Sequence, residues 1–132
     1  MTVSPLAFLT FFSLKGAYKA TTILILVTIL VFIIMIFLGL NIISPTPQEL
    51  LEIGGCRRYE VLNGESWRLF TAIFIHSGLM HLILNLAGIG IGGVFLERII
   101  GSFKLVLVYL TCGVIASLVS IEWHDNTIGV GA

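Results

Sequence analysis

Three long apolar runs, joined by one long and one very short polar connection, set the layout of this chain. The first extends from Thr21 to Leu40 without a charge. As a helix it is about 30 Å long, enough to cross the hydrocarbon core of a bilayer. The second runs from Ser77 to Ile100 and meets no charge until Glu97; the third runs from Phe103 to Ile121, uncharged past Lys104. Each reads as a transmembrane helix, so the predicted fold is an all-α membrane protein, a polytopic helical bundle. Residues 1–20 read as an interfacial lead-in. Phe8, Leu9, Phe11, Phe12 and Leu14 precede Lys15, Gly16 and Lys19, a pattern that suits a short amphipathic helix on the membrane surface.

The connections differ in kind. Residues 41–76 form a long outer loop, and a loop of that length in a small bundle is usually a lid or binding element. Pro45 and Pro47 forbid helix directly after the first span. Gln48 to Ile53 fits one short helical turn, broken by Gly54-Gly55. Tyr59 to Leu62 is expected to be extended, running into a tight turn at Asn63-Gly64. Trp67-Arg68 closes the loop, with Trp67 in the place of an aromatic-belt anchor at the membrane interface. Ser77 is expected to N-cap the second span. Gly101-Ser102 reads as a sharp stop and restart, a C-terminal glycine followed by an N-capping serine. Glu97 is expected to reach the free amides at the start of the third span, as a structural latch. Gly113, Ala116, Ser117 and Ser120 give that span a small-residue packing face. Residues 122–132 return the chain to the outer side, and the glycine-rich end from Ile128 to Ala132 is how a fourth helix would begin.

Composition agrees with a membrane protein. Residues are 58% hydrophobic and 11% charged, with mean hydropathy +1.10, whereas a soluble domain carries about a quarter charged residues. Net charge is zero, so no basic face invites nucleic acid. With the N-terminus cytoplasmic, Lys15, Lys19, Arg98 and Lys104 lie inside, against Arg57, Arg58 and Arg68 outside. The orientation expected is therefore N-terminus in, and the compactness of the chain suggests a bacterial inner membrane. The first span is too long and too late in the chain for a cleaved signal peptide. Cys56 sits in the loop and Cys112 mid-span, so a disulfide between them is not expected.

The candidate chemistry lies on the second span. His81 and Asn85 are four residues apart, stacked on one face about 6 Å apart along the axis. Gly88 and Gly92 fall on the same stripe, within roughly 60° of arc. Two hydrogen-bond donors thus stand above two bare backbone patches where another helix can approach. Such polar residues in a membrane point to function, and equally to interhelical glue. His76, His81, His124 and Asp125 carry no metal-ligand spacing, so a metal site is not expected.

Four motifs in order resemble the rhomboid family of intramembrane serine proteases. Gly64-Glu65-Ser66-Trp67-Arg68 is similar to the family's Trp-Arg motif, and His76-x4-His81-x3-Asn85 to its signature on the second core helix. Glu97-x3-Gly101-Ser102 resembles its junction between the second and third helices. Gly129-Val130-Gly131-Ala132 is similar to the approach to the nucleophile motif Gly-x-Ser-Gly, with Gly131 as its first glycine. The resemblance covers about residues 60–132. It implies a six-helix core, of which three spans are present, and a serine–histidine dyad whose two members both fall outside these residues. The chain is accordingly read as incomplete and inactive alone. The resemblance further implies His81 and Asn85 as oxyanion donors. His76, Trp67, Arg68, Gly88, Gly92, Glu97, Gly101, Ser102 and Gly131 support the motifs, His76 in structural or water-organising work. The implied partners are membrane lipids and single-span substrate proteins, and no cofactor is needed. The rival reading is a non-catalytic module that binds transmembrane segments through the same surface.

Overall fold

The structure, a computed structural model, describes residues 16–123 and 127–131. The lead-in up to Lys15, with His124, Asp125 and Ala132, lies outside the described residues. Helix α1 spans Lys19–Phe37. Its buried residues Thr21, Leu24, Thr28, Phe32 and Met35 recur every three or four positions, the stripe a packed helix needs. Leu26, Leu30, Ile33, Ile34 and Phe37 face outward and are equally apolar, as a helix surrounded by lipid requires. The helix starts two residues before the predicted run and ends at Phe37, because the chain turns at Leu38-Gly39 before the prolines.

Three short helices fold the outer loop. Helix α2, Pro47–Glu52, opens on a reciprocal cap: Thr46 accepts from the Glu49 amide while the Glu49 carboxylate accepts from the Thr46 amide at 2.6 Å. Helix α3, Arg58–Leu62, replaces the extended segment expected there. Local contacts decide it: Arg57 pairs with Glu60 three residues on, and the Asn63 amide donates to the Tyr59 carbonyl at 2.7 Å. The nearest strand-like pairing in the described residues is an isolated antiparallel bridge of Cys56 with Gly129, so no sheet partner competes for Tyr59–Leu62. Helix α4 is Arg68–Thr71.

Helix α5 runs from Leu79 to Ile100, passing through a π-helical segment at Ile89–Gly93, and α6 from Ser102 to Trp123. With α1 these are long and apolar enough to span a membrane. No strand occurs among the described residues. The molecule is an all-α membrane bundle.

The junction of α5 and α6 differs from expectation in its partner. Gly101 does end α5 in a sharp turn. The buried Glu97 carboxylate, however, accepts from the amides of Ala20 and Thr21 at the start of α1, both at 2.9 Å, and from the Thr21 hydroxyl at 2.6 Å. Ser102 is the first residue of α6 rather than its cap, and its hydroxyl donates to the same carboxylate at 2.6 Å. The carboxylate thus caps α1 instead of α6. α1 begins beside Glu97, and an anion is favoured at the exposed amides of a helix start.

Close packing of α5 against α1 falls on Gly93. A β-carbon at Gly88 or Gly92 would meet nothing within 4 Å, whereas one at Gly93 would come within 2.9 Å of the Thr21 hydroxyl. The π segment inserts a residue into the turn and rotates the following positions off a plain 100° stripe. Gly93 therefore faces α1. On α6, Gly113 receives Ile73 of the outer loop, which a β-carbon there would strike at 2.7 Å. These contacts seat the loop on the bundle.

Candidate functional site

The site forms where the start of α5, the end of the outer loop and residues 127–131 converge. Arg68 anchors the loop side. Its buried guanidinium donates to the carbonyls of Leu51 and Gly55, pairs with Glu65 at 2.6 Å, and lies 4.7 Å from the centre of the Trp67 ring. Trp67 is half exposed at the loop surface. The carbonyl groups that Arg68 gathers precede Cys56, whose amide and carbonyl exchange hydrogen bonds with Gly129 at 3.0 and 2.8 Å. Two residues later the Gly131 amide donates to the Ala72 carbonyl at 2.8 Å. The Arg68 side chain thus fixes, through the backbone it gathers, the segment that carries Gly131. Sequence reasoning gave no sign of the Cys56–Gly129 pairing, because backbone pairing leaves no side-chain signature.

His81 and Asn85 meet at Gly131. A β-carbon on Gly131 would lie 2.6 Å from His81 Cε1, 2.8 Å from His81 Nε2 and 3.0 Å from Asn85 Nδ2. Its φ of +75° also favours glycine. Only a bare backbone can pass so close to both polar groups, which accounts for the glycine. The structure therefore brings His81, Asn85 and Gly131 together, and leaves Gly88 and Gly92 lower down. Those two line an apolar groove of about 390 Å³ between α5 and α6, with Asn85 at one end and Leu105, Tyr109 and Cys112 opposite. A second cavity, of about 470 Å³, lies on the other side of residues 127–130 and is lined by Ser77 and His81.

His76 joins the site from the non-helical segment ahead of α5. It is buried, 1% exposed, with its ring centre 5.2 Å from that of His81. Its Nδ1 faces the Phe74 carbonyl at 3.0 Å, an acceptor only, so that nitrogen carries the proton. Nε2 is left to accept from the Asn85 amide at 2.8 Å. Burial pushes the ring below the usual histidine range; the Phe74 carbonyl pulls the other way, and His81 adds to the lowering. A neutral His76 therefore orients Asn85 with its NH2 group toward the junction.

Ser77 does not cap α5. Gly78 takes the cap position at φ +122°, and a β-carbon there would sit 2.1 Å from the Ile43 carbonyl oxygen. The first helical amide, that of Leu79, is satisfied by the Ile42 carbonyl at 2.8 Å. With the amide occupied, the Ser77 hydroxyl turns to His81 Nδ1 at 2.9 Å.

The rhomboid domain family model matches residues 63–132, more than half of the sequence. The chain belongs to the rhomboid family. It is 34% identical to the RHOMBOID-like protein 6, mitochondrial, of Arabidopsis thaliana, over 68% of this chain and 30% of that protein. It is 35% identical to the rhomboid protease GluP of Bacillus subtilis, over 67% of this chain and 18% of GluP. It is 30% identical to the Inactive RHOMBOID-like protein 8 of Arabidopsis thaliana, over 64% of this chain and 24% of that protein. The chain spans less than a third of the length of these curated relatives. No solved structure matches it. The rhomboid match begins at Asn63, so it includes the Trp-Arg motif, the His-Asn helix, the Glu97 junction and Gly131.

Proposed function

We propose that these residues are the oxyanion-binding half of a rhomboid-type intramembrane serine endopeptidase. One observation carries the reading: His81 Nε2 and the Asn85 amide converge on Gly131, the first glycine of the motif that in the family leads to the nucleophile. In the full-length protein the serine Oγ attacks the scissile carbonyl, and the base histidine takes its proton. Negative charge moves to the carbonyl oxygen, where the His81 and Asn85 N–H groups and the serine amide receive it. Collapse expels the amine, which takes the proton from the histidine, and water then hydrolyses the acyl-serine. The substrates are single-span membrane proteins whose helices unwind locally, because an intact helix hides its carbonyls.

GluP, named a protease, supports the reading. The inactive relative supports the second one, a rhomboid module that binds transmembrane segments without cutting them. Cleavage of a purified single-span substrate by the full-length protein in liposomes separates the two. Turnover that His81→Ala suppresses favours the enzyme; binding without cleavage by the intact protein favours the module. The 132 residues alone contain no Gly-x-Ser-Gly, and they are expected to give no cleavage in the same assay. Turnover by them, with contaminating protease excluded, would place the chemistry on other residues.

Orientation belongs to the same proposal: N-terminus cytoplasmic in a bacterial inner membrane, with residues 41–76 outside. In a variant freed of Cys56 and Cys112, an impermeant thiol reagent applied from outside should label Asn63→Cys and spare Lys104→Cys. Both positions are exposed and stand at opposite ends of α5 and its loop. The reverse pattern would invert the topology and put the site on the cytoplasmic side.

A further inference from the structure

The geometry points to Ser77 as the positioning residue that decides which nitrogen of His81 carries the proton. This rests on the oxyanion reading above, and extends it to a residue that the motif leaves unassigned. A neutral imidazole has one donor nitrogen and one acceptor, and His81 can serve an oxyanion only if the donor is Nε2. Nε2 is the nitrogen beside Gly131. Nδ1 faces the Ser77 hydroxyl at 2.9 Å. When that hydroxyl donates, Nδ1 is the acceptor and the proton is held on Nε2. Three contacts then define the ring: Ser77 behind it, Gly131 in front, and the His76 ring at its edge.

The backbone leaves Ser77 available for this. A serine just before a helix ordinarily spends its oxygen on a helix amide. Here the Ile42 carbonyl satisfies the Leu79 amide, and Gly78, pressed against Ile43, turns the chain so that Ser77 stands one position outside the cap. Asn85 gains its polarity in a parallel manner from His76. Each donor is therefore set by a residue of the turn that precedes the helix.

The test uses the full-length protein in lipid nanodiscs with ring-15N histidine, the His81 signals being those lost in His81→Gln. The wild type should show a protonated Nε2 and an unprotonated Nδ1 as two separate resonances. Ser77→Ala should draw them together, and Ser77→Thr, which keeps the hydroxyl, should restore the separation. Turnover of a single-span substrate should fall roughly tenfold in Ser77→Ala with KM unchanged, and recover in Ser77→Thr. A proton found on Nδ1 in the wild type, or His81 resonances unmoved in Ser77→Ala, would overturn the assignment. If the resonances behave as expected but no variant, wild type included, cleaves substrate, Ser77 still sets the His81 proton and the peptidase reading is what fails.

Discussion

Replacing His81 by alanine in the full-length protein should lower kcat by about 10²–10³ and leave KM nearly unchanged. The expectation follows from where the contact is made. His81 Nε2 lies beside Gly131, where the proposed mechanism puts the developing negative charge, and an interaction realised only in the transition state costs rate without costing binding. Its polar partner is the exposed Ser77, four residues earlier, so the fold loses little: a typical intramolecular hydrogen bond contributes about 0.5–1.5 kcal/mol. Asn85→Ala should cost a similar factor in kcat, with a measurable loss of stability as well. It strands the buried His76 Nε2, and an unsatisfied buried acceptor costs about 1–3 kcal/mol. The two variants together therefore separate chemistry from packing. Paired measurements of kcat and thermal midpoint check this. If His81→Ala loses stability in proportion to activity, the histidine is interhelical glue and the oxyanion role falls.

Glu97→Ala should be the most destabilising single change at the helix junction, by roughly 3–5 kcal/mol. The carboxylate serves two backbone amides of α1, the Thr21 hydroxyl and the Ser102 hydroxyl. The hydroxyls can turn to other acceptors; the amides of Ala20 and Thr21 are fixed by the helix and cannot. At roughly 2–4 °C per kcal/mol for a protein of this class of size, the thermal midpoint should drop by about 10 °C. Gly93→Val should act on the same α1–α5 contact, because its side chain would run into Thr21. Glu97→Gln, which keeps an acceptor oxygen, should recover part of the loss. A midpoint for Glu97→Ala within about 2 °C of wild type would mean that water or lipid headgroups replace the carboxylate and that the latch contributes nothing.

The sequence by itself determined the three spans, the helix carrying His81 and Asn85, the stop at Gly101 and the family. Each of these is written in local terms. A membrane span is a matter of run length and charge, a helical face is a matter of spacing, and a motif is a matter of order along the chain. Even the short α2 was legible as a helical turn between the prolines and Gly54-Gly55, though its Thr46–Glu49 cap was not read from the sequence. What the tertiary structure alone decided is which partner each polar group finds. Glu97 bonds the backbone amides of α1, a helix start 76 residues away in the chain, and takes only the Ser102 hydroxyl from α6. Ser77 lost its capping role because Ile42, far along the chain, had already supplied the carbonyl. Gly93 took the close contact with α1 because a π turn shifted the register. Residues 127–131 reached His81 only by pairing their backbone with Cys56 and Ala72. Hydrogen bonds in a low-dielectric interior must be satisfied by whatever donor or acceptor the packing brings within about 3 Å, and sequence spacing does not encode that distance.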